Sequence, residues 1–157
     1  MRLTRDRRRP PAQQFAWVAL FAVLSAGLWF GWFAWDTEYQ FNSATAEMTG
    51  PYAVWQGVGA FLCGIVVVGF AYRILFFPVA LLVLPASFTI AWSTTAAAED
   101  YSGLWVIGAI LVAFGSTAGI ALLLGVAALI EKIVTQYRTS ATRRRSGETA
   151  DSAPRDR

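Results

Sequence analysis

No histidine occurs anywhere in the 157 residues, and cysteine occurs once, at Cys63. The first absence removes the commonest metal ligand and the commonest general base together. The second excludes an intrachain disulfide and a cysteine-built metal site, and a lone thiol leaves the redox compartment unreadable. Charge is also missing from long stretches. No Asp, Glu, Lys or Arg lies between Gln14 and Trp35, Tyr52 and Tyr72, Ile74 and Ala98, or Ser102 and Ile130. Proton-coupled transporters, pumps and voltage sensors depend on ionisable groups at membrane depth, and here none lies inside a span away from its ends. Arg73 and Glu131 are interfacial by position, and Gln56 sits near a span end.

What is present explains those windows. Apolar residues make up 56% of the chain, high for a soluble domain. Each charge-free window reaches the ~20 residues that a helix rising ~1.5 Å per residue needs to cross a ~30 Å hydrocarbon layer. A soluble helix of that length would show a polar face, and none is visible. The sequence therefore predicts an all-α, integral membrane four-helix bundle. Its parts are a basic segment at 1–14, a four-span domain at 15–131, and a tail at 132–157 expected to be disordered beyond about residue 139. The spans are drawn at Phe15–Trp35, Tyr52–Tyr72, Ile74–Trp92 and Leu104–Ile130. A cleaved signal peptide, with Arg2–Arg9 as its basic region and Leu24-Ser25-Ala26 as its cleavage site, is the rival reading of the N-terminus. The unbroken apolar run to Trp35 favours a retained span.

Orientation follows from the cations. In the four-span scheme all 13 Lys and Arg residues lie on one side: before span one, at Arg73 between spans two and three, and after span four. Cytoplasmic loops are the ones enriched in these residues, so both termini are expected in the cytoplasm and the protein in the plasma membrane. The other face carries Asp36, Glu38, Glu47, Glu99 and Asp100 with no cation. These acids are read as topology and solubility rather than as a divalent-cation site. The basic clusters are read as orientation signals that touch anionic headgroups, with no nucleic acid expected.

Local punctuation refines the spans. Thr49-Gly50-Pro51-Tyr52 reads as a helix start, and Tyr72-Arg73 as almost the whole connection of a tight hairpin. Pro78 is placed to start span three, whereas Pro85 is expected to kink it or loosen a turn. Span four is longer than a bilayer requires.

Two patterns stand out within the spans. Trp29, Trp32, Trp35, Trp55, Trp92 and Trp105 all fall at the acidic ends, where an indole keeps its ring in lipid and its N–H near water. They read as an interface belt, with an aromatic cage for a cationic or flat ligand as the competing reading. Trp29 lies about 9 Å deeper than Trp35 and is expected to pack against another helix. The second pattern is small residues four apart, Gly115 with Gly119 and Ala60 with Gly64, which let helix backbones approach closely. They are read first as packing sites within the chain and second as an oligomer interface. No catalytic group is assigned. Ser25, Cys63, Ser87, Ser116 and Thr117 have no visible base partner, and no cofactor or metal is expected.

The segment Asp36…Tyr39, Gly50-Pro51-Tyr52 and Trp55-Gln56 resembles a loop of uncharacterised small four-span integral membrane proteins of high-GC actinobacteria. The resemblance covers residues 36–56 and implies the same four-span fold, with no activity, cofactor or catalytic residue. The expected function is a non-enzymatic accessory or structural subunit, held in a lipid bilayer and packed against a membrane-protein partner or a second copy. The alternative is a small transporter or channel acting as an oligomer.

Overall fold

The computed structural model describes residues 3–6, 10–36, 40–42, 47–49, 52–100 and 102–151. Four helices dominate: α1 (Pro11–Trp32), α2 (Val54–Ile74), α3 (Phe77–Glu99) and α4 (Trp105–Asp151). All four are long and apolar enough to cross a membrane, and the protein is a multi-pass membrane protein of all-α class. Between α1 and α2 a short antiparallel ladder joins β1 (Gln40–Asn42) to β2 (Glu47–Thr49), with Phe41 opposite Met48. The loop expected there thus contains a small hairpin. Glu38, Tyr39 and the Gly50-Pro51 pair lie outside the described residues.

The helix limits differ from the sequence expectation in ways that local chemistry explains. Helix α1 stops at Trp32 rather than Trp35, because the Phe33 and Ala34 N–H groups both turn back onto the Trp29 carbonyl. Helix α2 begins at Val54, not at Pro51: the Gln56 side chain accepts the Ala53 N–H at 2.6 Å and so closes the first turn. At its other end α2 runs to Ile74, so the hairpin connection is Leu75–Phe76 instead of Tyr72–Arg73. Pro78 does open α3, in the first turn where its missing N–H is harmless. Helix α3 then continues through the buried Pro85 and past Trp92 to Glu99, carried by Ala96, Ala97 and Ala98.

The tail departs furthest from expectation. Residues 139–151 were expected to be disordered, yet α4 is helical through Asp151. Adding a residue to an existing helix needs no new nucleus, and the segment carries Arg143, Arg144 and Arg145 with no proline before Pro154. The chain divides into two compact units, Met1–Leu124 and Gly125–Arg157, the second being the C-terminal part of α4 with the residues after it.

In the first unit α1 is the central element, packed against α3 most extensively and against α2. Phe21, Ser25 and Trp29 are buried at four-residue spacing along α1; Ala80, Leu84 and Ala91 are buried on α3. Lipid is as apolar as these side chains, so the helices gain from close packing and hydrogen bonds rather than from escaping water. The Ser25 hydroxyl supplies one such bond, donating to the Leu84 carbonyl at 2.7 Å across the α1–α3 seam. Large apolar side chains such as Val23, Leu82 and Phe114 point outward instead, about 70% exposed, as expected of surfaces solvated by hydrocarbon.

At the basic end the N-terminal segment is not loose. Thr4 pairs with Leu75 as an isolated antiparallel bridge. The Arg5 N–H donates to the Ile74 carbonyl and the Phe76 N–H to the Leu3 carbonyl, both at 3.0 Å. Thr4 and Leu75 are wholly buried, and the Arg5 guanidinium lies 4.4 Å from the centre of the Tyr72 ring.

Candidate functional site

The acidic end of the first unit gathers the residues with chemical character. Trp29 is its centre. Its indole is only 6% exposed, and its N–H donates to the Thr95 hydroxyl oxygen at 2.9 Å. That hydroxyl in turn donates to the Trp92 carbonyl at 2.9 Å. Four rings surround the indole. Phe33 stacks on it at 5.3 Å, while Tyr52, Phe88 and Trp92 stand edge-on at 6.0, 6.2 and 6.4 Å. Such offset and edge-to-face pairs match the negative face of one ring to the positive edge of the next.

A polar bolt sits beside the rings. Gln56 is fully buried; its carbonyl oxygen accepts the Ala53 N–H, and its amide donates to the Asp36 carboxylate at 2.9 Å. One side chain thus closes the start of α2 and ties it to the segment leaving α1. Asp100 performs a related task for α4. Its carboxylate accepts the Ser102 N–H and hydroxyl and the Trp105 N–H, and Gly103 takes a left-handed φ of 76° to complete the turn. The Ser102 hydroxyl, then the Ser102 and Trp105 backbone N–H groups, hold the Asp100 carboxyl below its ordinary value. Both oxygens of Asp100 are therefore engaged by the chain itself.

The six tryptophans expected to form a belt take different positions. Trp35 and Trp55 are each 59% exposed, in the manner of interface residues, and the Trp35 N–H bonds the Gly31 carbonyl. Trp32 is half-buried, edge-on to Trp55 and pressed against Gly59. Trp92 is half-buried against Gly108. Trp105 is half-buried at the start of α4. Trp29 belongs to the interior, among α1, α2 and α3 side chains. The glycines that make close approaches are thus Gly59 and Gly108: a Cβ at either would collide with an indole ring. Neither was singled out from the sequence, although each stands beside a tryptophan-bearing helix end.

The small-residue pairs that were singled out do something else. A Cβ added at Gly115 or Gly119 would meet nothing within 4 Å, and one at Gly64 only the tip of Leu28 at 3.9 Å. These positions are not tight helix contacts within the chain. Ala60, Gly64, Ser116 and Gly119 instead line a cavity of about 330 Å³, with Ser25 and Leu84 among its other walls. Its surface is almost wholly apolar, and the hydroxyls near it are committed to backbone carbonyls: Ser25 to Leu84, Ser116 and Thr117 to Ala113.

A second, smaller cavity of about 110 Å³ opens within the ring cluster. Trp29, Tyr52, Trp92, Thr95 and Glu99 form its wall, which unlike the first is more polar than apolar. Tyr52 is 46% exposed at its open side. Among the described residues no three metal-ligating side chains come together. Compared with known protein families, curated proteins and solved structures, the chain matches none.

Proposed function

We propose that this multi-pass membrane protein is a non-enzymatic accessory subunit of the plasma membrane, with both termini in the cytoplasm, which packs against a helix of another membrane protein. The observation that carries the reading is the unfilled small-residue face. Gly115 and Gly119 on α4 have no neighbour that a methyl group would touch, and the adjoining apolar cavity holds room for side chains from outside. In lipid, small residues four apart favour close helix approach, and here the chain itself makes no use of them. The same features argue against catalysis at that depth, since the hydroxyls are tied to carbonyls. The side assignment of the termini rests on the basic segments and the acid-only opposite loops.

The test is affinity purification of the full chain in mild detergent, beside Gly119→Leu. A reproducible membrane-protein partner retained by the native chain and lost from the variant supports the reading. Isolation of the native chain alone, at monomer mass, sinks it. Isolation as a homo-oligomer, with solute flux in liposomes that Gly119→Leu lowers, favours the oligomeric transporter instead.

A further inference from the structure

We infer that the 110 Å³ cavity at the acidic end is a binding site for a small alkylammonium group, entering past Tyr52 and held against Trp29 and Trp92 with Glu99 as its counter-charge. The site is independent of the small-residue face of α4. Four observations converge on this ligand class.

The walls come first. Tyr52 and Trp92 stand edge-on to Trp29 at 74° and 67°, and the cavity opens beside these contacts with all three rings in its wall. Aromatic faces are negative and attract cations lying within about 6 Å of a ring centre. The second observation is the disposition of the donors. The Trp29 N–H is taken by Thr95, and the Thr95 hydroxyl proton by the Trp92 carbonyl. These two donors are therefore spent within the protein, and neither competes for an acceptor on a guest. Third is charge. Glu99 is exposed at the rim, and every Lys and Arg of the sequence lies outside the loops at this end. An anion would meet only carboxylates. Fourth is size. A cavity of ~150 Å³ accepts a benzene ring, so about 110 Å³ fits a group of roughly five heavy atoms, such as trimethylammonium. A metal ion is a poorer guest, because one carboxylate among ring faces supplies too few oxygens.

The ammonium group has two sources, a free amine in water or the headgroup of a lipid at the interface. The experiment separates them. The full chain is placed in nanodiscs of phosphatidylglycerol, whose headgroup has no nitrogen, and titrated with choline. Saturation transfer to its trimethyl protons is followed, with 3,3-dimethylbutanol as the uncharged isostere. Choline is expected to saturate and the isostere to bind at least about fivefold more weakly. Glu99→Gln is expected to weaken choline about threefold, as for an exposed charge pair. Trp92→Leu should weaken it about tenfold, and Tyr52→Leu, at a residue 46% exposed, about threefold. Equal binding of the isostere overturns the proposal. So does choline binding that stays within about twofold in both Glu99→Gln and Tyr52→Leu. Nanodiscs containing phosphatidylcholine assign the source: a severalfold loss of apparent choline affinity identifies the lipid headgroup as the occupant, and an unchanged titration identifies the free cation.

Discussion

The two ends of the first unit are closed by different forces. At the basic end the closure is made by main chain: Leu3–Arg5 lies along Ile74–Phe76 as a minimal ladder, and the Arg5 guanidinium rests over Tyr72. At the acidic end it is made by side chains, four rings around Trp29 and an amide–carboxylate link from Gln56 to Asp36. A ladder of backbone bonds tolerates many sequences but offers a ligand nothing to recognise. A ring cluster tolerates few and creates shaped, charged space. The difference places both tight sequence constraint and candidate chemistry at the same end of the protein.

The sharpest way to break that end is Trp29→Ala. The substitution removes the indole from its four ring neighbours and leaves Thr95 without its donor. Buried Trp→Ala changes cost ~3–5 kcal/mol in water-soluble cores; with lipid as the reference solvent the transfer component shrinks, so about 3 kcal/mol is expected. Trp55→Ala, at a residue 59% exposed, should cost less than about 1 kcal/mol. Unfolding in mixed detergent micelles reads both. Equal losses at the two sites would mean that the cluster has no centre.

A second contrast sets glycines against each other. Gly59→Ala drives a methyl group into the Trp32 ring, and overpacking of that kind costs about 1–3 kcal/mol. Gly119→Ala meets open space and should be neutral or stabilising by up to ~1 kcal/mol through helix propensity. The same unfolding assay on the purified chain compares them. A larger loss at Gly119 than at Gly59 would show that α4 packs closely there.

The basic end should yield less. Arg5→Ala loses the contact over Tyr72, worth about 0.5–1 kcal/mol at an exposed site. Arg5→Pro also deletes the N–H that bonds the Ile74 carbonyl, adding ~1 kcal/mol. Amide exchange at Phe76, whose N–H bonds Leu3, should quicken in the proline variant more than in the alanine one. Equal exchange in both would assign the closure to the cation rather than to the ladder.

These contrasts also mark what was legible in the sequence. The four spans were, because a charge-free run of ~20 residues declares itself without tertiary information; so was the interior placement of Trp29, from its depth below Trp35. The strap at Leu3–Arg5 was not. It pairs with Leu75 across most of two helices, and its arginines read naturally as an orientation signal. GxxxG spacing drew attention to Gly115 and Gly119, whereas close contact fell to Gly59 and Gly108, because what decides is the partner ring, Trp32 or Trp92, and not the spacing. In the tail, α4 runs to Asp151, since a polar segment that only extends an existing helix needs no apolar face of its own. The cage was present only as an alternative, since convergence of Trp29, Tyr52 and Trp92 depends on three helices meeting.

The smallest expected effect lies at the acidic end and concerns the Asp100 carboxyl. Asp100 has its carboxyl held below the ordinary value, first by the Ser102 hydroxyl and then by the Ser102 and Trp105 N–H groups. A folded-state pKa below the unfolded one adds stability that is fully present above the unfolded carboxylate range. That stability is lost as pH falls through the lowered folded value. The group is only partly buried, so water and salt screen the gain. Thermal unfolding of the native chain should therefore be flat from neutral pH to about 5 in this respect and decline slightly below about 4. Asp100→Asn keeps an acceptor for the Trp105 N–H but carries no titrating charge, so its profile should lose that part of the decline and start α4 less firmly. An identical acid decline in Asp100→Asn would move the source to other carboxylates.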